Sequence, residues 1–194
     1  MSDVIVVGGG PAGLSAALFA AKNGLETTVF DTDGTWLHSA HLFNYLGIGS
    51  VDGSAFLETA RAQADAYGVE RRDAEVTEVS TDGDGLTVST EDDELEARYL
   101  ILATGANRDL AEALGCEFTD EGVVAVDVTM ETSVENAYAT GAMVRAEEWQ
   151  AVISAGDGAA AALNVLTKEK GEHFHDFDTP DDAVAAAQAT MDDE

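Results

Sequence analysis

One stretch constrains the fold more than any other: an apolar run, Val4, Ile5, Val6 and Val7, enters Gly8, Gly9, Gly10, Pro11, Ala12 and Gly13 without a break. It reads as a buried strand, a glycine turn and the start of a helix, the fingerprint of a dinucleotide-binding βαβ unit. Gly8 permits the tight turn after the strand, Gly10 lets backbone N–H groups reach a pyrophosphate, and Gly13 lets helix and strand touch. Pro11 suits the first helical turn, where its missing N–H is not needed. The free N–H donors and partial positive charge of that turn then face the phosphates. An Ala-rich helical run over residues 14–21 follows, and a second strand over 26–30 ends in Asp31. Asp31 stands about 20 residues beyond the glycines, where a carboxylate accepts a hydrogen bond from a ribose hydroxyl.

Further along, residues 32–52 show no clear periodicity and contain Trp36, His38, His41, Phe43, Asn44 and Tyr45. A loop of that length generally carries function. Ser54 suits the cap of a helix over 55–67, with Gly68 as its stop. The period then falls to two over 74–80, 86–90 and 95–97, separated by acidic turns at 81–85 and 91–94, which gives a small antiparallel β-meander. Residues 99–103 form a continuous apolar run, as in a strand buried on both faces of a parallel sheet. A short helix is expected over 108–114, strands over 123–128 and 137–140, and a long helix over 147–170 ended by Gly171. Gly156 and Gly158 inside that helix each cost roughly 1 kcal/mol relative to Ala, which points to a closely approaching backbone. The pattern 179–182 starts a last helix that runs to 190.

Carboxylates outnumber Lys plus Arg by 38 to 9, for a formal charge of −29. Nucleic acid and acidic membranes are thereby excluded as partners. The charge is spread over helix faces and turns, as on a surface adapted to molar salt. No apolar run approaches the ~20 residues of a membrane span and no basic leader precedes the first strand, so a soluble, cytoplasmic protein is expected. The single cysteine, Cys116, supplies no thiol pair and reads as a small core residue. His173 and His175 are too few ligands for a metal site, and none is assigned.

Taken together, these segments resemble the FAD-binding domain of the thioredoxin reductase-like pyridine nucleotide-disulfide oxidoreductases. Gly8, Gly10, Pro11, Ala12 and Gly13 match the family's first motif, and Ala103, Thr104 and Gly105 match its strand-plus-ATG segment. Asn44 with Tyr45 resembles the flavin-contacting Asn-aromatic pair, and Val76 sits where the family places a backbone contact to adenine. Gly141 and Ala142 stand at the Gly-Asp flavin motif, and Gln150 with Ala151 matches the Gln-Ala pair opening the last helix. The resemblance implies an α/β, Rossmann-like FAD-binding fold: a parallel sheet with a small antiparallel meander, in a single domain. It also implies an FAD-binding domain over residues 1–171 and an acidic C-terminal extension with a short helix over 172–194.

The departures shape the functional expectation. The family's inserted NAD(P)H domain, with its Cys-x-x-Cys, is replaced by residues 107–136, and the ribityl-binding aspartate by Ala142. Gly34, Thr35 and Trp36 stand where the family has Gly-Gly-Gln. FAD is the expected cofactor, with the pyrophosphate at the first helix, Asp31 on the ribose and Gln150–Ala151 at the pyrimidine edge of the flavin. Trp36 either covers the flavin ring or is a core or dimer-interface aromatic. His38 and His41 are candidate proton donors or simple loop residues, and no catalytic residue is assigned. The expected function is a minimal FAD-dependent oxidoreductase fed by a small-molecule or protein redox partner, as a homodimer by family resemblance. The alternatives are a non-enzymatic redox-sensing module and a relic of the fold without cofactor.

Overall fold

The computed structural model describes residues 2–81 and 85–183. The opening unit is β1 (Ser2–Val7), α1 (Pro11–Lys22) and β2 (Thr27–Asp31), with β1 and β2 parallel and Val4 opposite Thr27. A short pair, β3 (His41–Leu42) and β4 (Val51–Asp52), precedes α2 (Gly53–Ala66), after which come β5 (Glu70–Asp73), β6 (Glu78–Thr81), β7 (Leu86–Ser89) and β8 (Glu94–Leu102). The chain continues through α3 (Asp109–Leu114) and β9 (Ala137–Ala139) to α4 (Ala151–Lys170). Among the described residues, seven strands form one sheet in the order β5-β2-β1-β8-β7-β6, with β9 also on β8.

The pivotal strand is β8. One edge runs parallel to β1, while the other takes β7 antiparallel along residues 94–97 and β9 parallel along 100–102. The meander and the parallel sheet are thus one continuous surface, joined where the sequence pattern divides at Arg98. That arginine is exposed and spans two carboxylates, donating to Asp3 at 2.6 Å and pairing with Glu169. A charged residue therefore sits inside a strand without being buried.

Alternation along β1 builds two cores. Val4 and Val6 pack with Leu14, Ala17, Ala161 and Val165 beneath α1 and α4, and Ile5 and Val7 pack with Phe30, Val88, Leu100 and Met143 on the opposite face. Burial on both faces is what makes β1 and the second half of β8 continuously apolar. Gly158 lets α4 lie against α1, since a Cβ there would overlap the Ala12 carbonyl. Gly156 meets nothing within 4 Å, so only one of the two helix glycines marks a close approach.

Several elements differ from the sequence expectation. Segment 123–128 is not a strand. Its backbone bonds go to separate partners, Val124 N–H to Met143 and Ala125 N–H to Glu117, with one bridge between Phe118 and Val124. The charged segment Glu70–Asp73, to which the sequence pattern assigns no element, is an edge strand whose side chains remain in water. Asp52 caps α2 in place of Ser54, accepting from the Ser54 and Ala55 N–H groups at 2.9 and 3.3 Å. The long helix begins at Ala151, four residues later than its pattern suggests. Residues 82–84 of the first acidic turn and 184–194 of the last expected helix lie outside the described residues. Ahead of them, Lys22 on α1 reaches Asp176 at 2.7 Å and Asp178 at 2.5 Å, so the segment after α4 returns along the domain.

Candidate functional site

The parallel strands β5, β2, β1, β8 and β9 all deliver their C-terminal ends to one cleft of about 680 Å³. Its floor is the glycine turn. Gly8 has φ +113°, and a Cβ on it would overlap the Ala103 carbonyl; a Cβ on Gly13 would overlap the Gly8 carbonyl. Both positions therefore require glycine. Gly10 is the N-cap of α1 and has no side-chain cap, so the first-turn N–H donors remain directed at the cleft.

Of the residues singled out from sequence, Gly8, Gly10, Pro11, Ala12, Asp31, Val76, Ala103, Thr104, Gly105, Gly141, Ala142 and Ala151 line this cleft. Gly13 lies beneath the turn as a packing position. Asn44 and Gln150 are brought together beside the cleft, the Asn44 amide donating to Gln150 Oε1 at 2.7 Å. His38 and His41 do not line it: His38 bonds Ser54 and Asp33, and His41 bonds Ser50. The structure thus gives neither histidine a proton-donor role in the cleft.

Gly9 has a role that the motif alone does not assign. A Cβ there would overlap the Asp31 carboxylate, so the middle glycine makes room for the acid at the end of β2. Trp149 joins the site with no sequence signal at all. Its ring meets Trp36 at 5.3 Å between centroids with planes 47° apart, and Trp36, 62% exposed at the cleft, is no core residue. The Trp149 indole N–H donates to the Arg145 carbonyl at 2.9 Å, fixing its side of the pair.

Two arginines with no local sequence signal hold the far wall. Arg108 donates to the carbonyls of Met143, Ala106 and Ala142 at 2.9, 3.1 and 3.2 Å, tying the turn after β8 to the turn after β9. Arg145 grips the buried carboxylate of Asp157 with two bonds of 3.1 and 2.7 Å, fixing the approach to α4. The Asp157 hydrogen bond, opposed by burial, raises the Arg145 pKa. The cap residue of α4, Gln150, also lacks a side-chain cap bond, so a second helix N-terminus opens beside Gly141 and Ala142.

The chemistry of the cleft follows from its lining. Two helix N-termini supply backbone donors and partial positive charge, and the glycine turn admits a ligand close to the backbone. No lysine or arginine lines it among the described residues. Cys116 lies elsewhere, buried, and burial pushes its thiol pKa up. The residues present fit an extended dinucleotide; the side chain of Ala142 is the one position without a polar group where the resemblance calls for a carboxylate.

Comparison with known proteins bears on the family and the fold. A sequence profile of the family described as pyridine nucleotide-disulphide oxidoreductase matches residues 2–52 and 50–159. A thioredoxin reductase of Peptoclostridium acidaminophilum is 33% identical over 129 residues, which is 62% of this chain and 40% of the relative. One of Listeria monocytogenes is 32% identical over 125 residues, 62% of this chain and 39% of the relative. The chain therefore spans about two fifths of the length of these relatives. Among solved structures, a thioredoxin reductase from Gloeobacter violaceus superposes with a TM-score of 0.84 at 21% identity, covering 92% of this chain and 99% of that one. A ferredoxin-flavin thioredoxin reductase from Clostridium acetobutylicum gives 0.78 at 19% identity, covering 88% and 99%.

Proposed function

Because the chain belongs to the pyridine nucleotide-disulphide oxidoreductase family, whose thioredoxin reductase-like domain binds FAD, we propose that it is an FAD-dependent oxidoreductase domain fed by a diffusing or protein electron donor. The observation that carries this reading is the pair of uncapped helix N-termini, α1 and α4, opening on one cleft over the glycine turn. Bound FAD supplies one- and two-electron chemistry. The N-terminus of α1 holds the pyrophosphate, Asp31 the adenosine ribose, and the backbone at Val76, on the cleft wall, the adenine. The α4 N-terminus at Gln150 and Ala151 would hold the pyrimidine edge of the flavin, with backbone donors and partial positive charge to offer it. Arg108 and Arg145 keep that end in register, and Trp36 with Trp149 shields it from water.

The donor is external in this reading. The 194 residues contain one cysteine, so they provide no dithiol to pass electrons on. A ferredoxin-type protein is consistent with the likeness to the Clostridium acetobutylicum fold. The homodimer expected from resemblance has a candidate face in the exposed Phe43, Leu46 and Ile48, beside an apolar groove between α1 and α2.

The test is the visible spectrum of protein purified in molar KCl, before and after added FAD. Flavin bands that stay with the protein on gel filtration are expected; colourless protein that takes up no FAD overturns the reading in favour of a relic fold, which Ala142 would then explain. Stopped-flow mixing of the loaded protein with reduced ferredoxin or NAD(P)H separates enzyme from sensor, and a flavin that no donor bleaches ends the oxidoreductase assignment.

A further inference from the structure

The acid at the end of β2 does not stand alone. Asp31 Oδ2 accepts from Arg61 Nη2 at 3.0 Å, and its Oδ1 accepts from the Asp33 N–H at 3.0 Å. Arg61 projects from α2, outside the cleft lining, and also pairs with Asp33. Asp33 takes up a left-handed backbone, φ +54°, and His38 braces it from the other side at 2.6 Å while bonding Ser54 at 2.8 Å. The side chains of Asp31 and Arg61 are 14% and 20% exposed, so the pair is shielded from solvent and from salt. Arg61 Nε is buried without a hydrogen-bond partner, so its guanidinium is held by the two carboxylates on Nη2 alone. The charged groups lining the cleft are Asp31, Glu75 and Asp109, so backbone donors hold the phosphates there and the charge of Asp31 has to be offset from outside the lining.

We propose that Arg61 is a positioning residue for the adenosine ribose, acting through Asp31. It fixes the Asp31 carboxylate over Gly9 and offsets its charge, so that the free oxygen lone pairs accept from a ribose diol. The two carboxylates outweigh that single cation and make the site selective. Asp31, Asp33 and Arg61 together carry a net charge of about −1 at neutral pH, so a ribose bearing a 2′-phosphate meets repulsion with no uncommitted cation to receive it. The ligand class is an ADP moiety with an unphosphorylated ribose. The inference rests on the proposed function only for the identity of the full cofactor, since ADP alone probes it.

Calorimetric titration of flavin-free protein with ADP in molar KCl tests it, using wild type, Arg61→Met, Asp31→Asn and the double variant. Arg61→Met is expected to weaken ADP about tenfold, as for loss of one charge-assisted hydrogen bond, and the double variant to bind no more weakly than Asp31→Asn. An unchanged affinity in Arg61→Met, or losses that simply add, overturns the proposal. Should Arg61→Met fail to fold, Arg61→Gln carries the same test, because it keeps a donor and loses the charge. Wild type should also prefer ADP-ribose over 2′-phospho-ADP-ribose by at least about tenfold, and equal binding overturns the selectivity. Wild type that binds ADP but not FAD defeats the cofactor reading and leaves Arg61 standing. Wild type that takes up FAD while Arg61→Met matches it for ADP does the reverse, and wild type without ADP affinity overturns the inference.

Discussion

At the scale of the residue, the informative positions are those where one side chain is missing or one is over-determined. Ala142 lines the cleft where a carboxylate is expected, and its own carbonyl is already taken by Arg108. Ala142→Asp should tighten FAD binding by the equivalent of one hydrogen bond, about 0.5–1.5 kcal/mol. A flavin fluorescence titration with no gain would place the ribityl chain elsewhere. Tyr99 is the over-determined case. Burial first, and then its hydrogen bond to Glu169 at 2.9 Å, push its phenol from 10 up to about 12. The folded-state value is raised, so the stability it contributes is complete below pH 10 and is lost as pH rises toward 12. Alkaline unfolding of the wild type should steepen across that window, and Tyr99→Phe should flatten it; identical pH profiles would remove Tyr99 from the account.

Between elements, the decisive contact is α1 against α4, because it sets the two helix N-termini at their common cleft. Gly158 is the point of closest approach and Gly156 is an exposed bystander. The paired substitutions should therefore move stability in opposite directions. Gly158→Ala forces a methyl group into the Ala12 carbonyl and should destabilise by about 1–3 kcal/mol, since backbone yields poorly. Gly156→Ala relieves only the helix penalty of glycine and should stabilise by about 0.5–1 kcal/mol. Urea midpoints of the two variants decide the matter: equal shifts would mean that the helices do not touch there. Other element-scale outcomes were beyond local pattern for identifiable reasons. Glu70–Asp73 is charged throughout because an edge strand keeps its side chains in water, and β8 crosses Arg98 because Asp3 and Glu169 neutralise it from other elements.

For the molecule as a whole, charge dominates. A net −29 on 194 residues repels itself at low ionic strength, where the screening length is about 10 Å at 0.1 M, and much less at 1 M, where it is about 3 Å. The melting temperature should rise from dilute buffer to molar KCl, and an unchanged value would show that this surface is already balanced by its ion pairs. By itself the sequence determined the βαβ unit, the glycine turn, Asp31 at its strand end and the buried run of β8. These are local requirements: a left-handed φ at Gly8, no room for a Cβ at Gly13, and alternating burial on two faces of a strand. Tertiary structure alone decided the rest. It brought Trp149 to Trp36, turned His38 away from the cleft and onto Asp33, and carried Arg61 and Arg108 from distant elements to the acid and the carbonyls they hold. Those pairings join residues as far apart in the chain as Trp36 and Trp149, and no periodicity reaches across such a separation. They exist because the crossovers of a parallel sheet deliver every strand end, and the loops that follow, to the same edge.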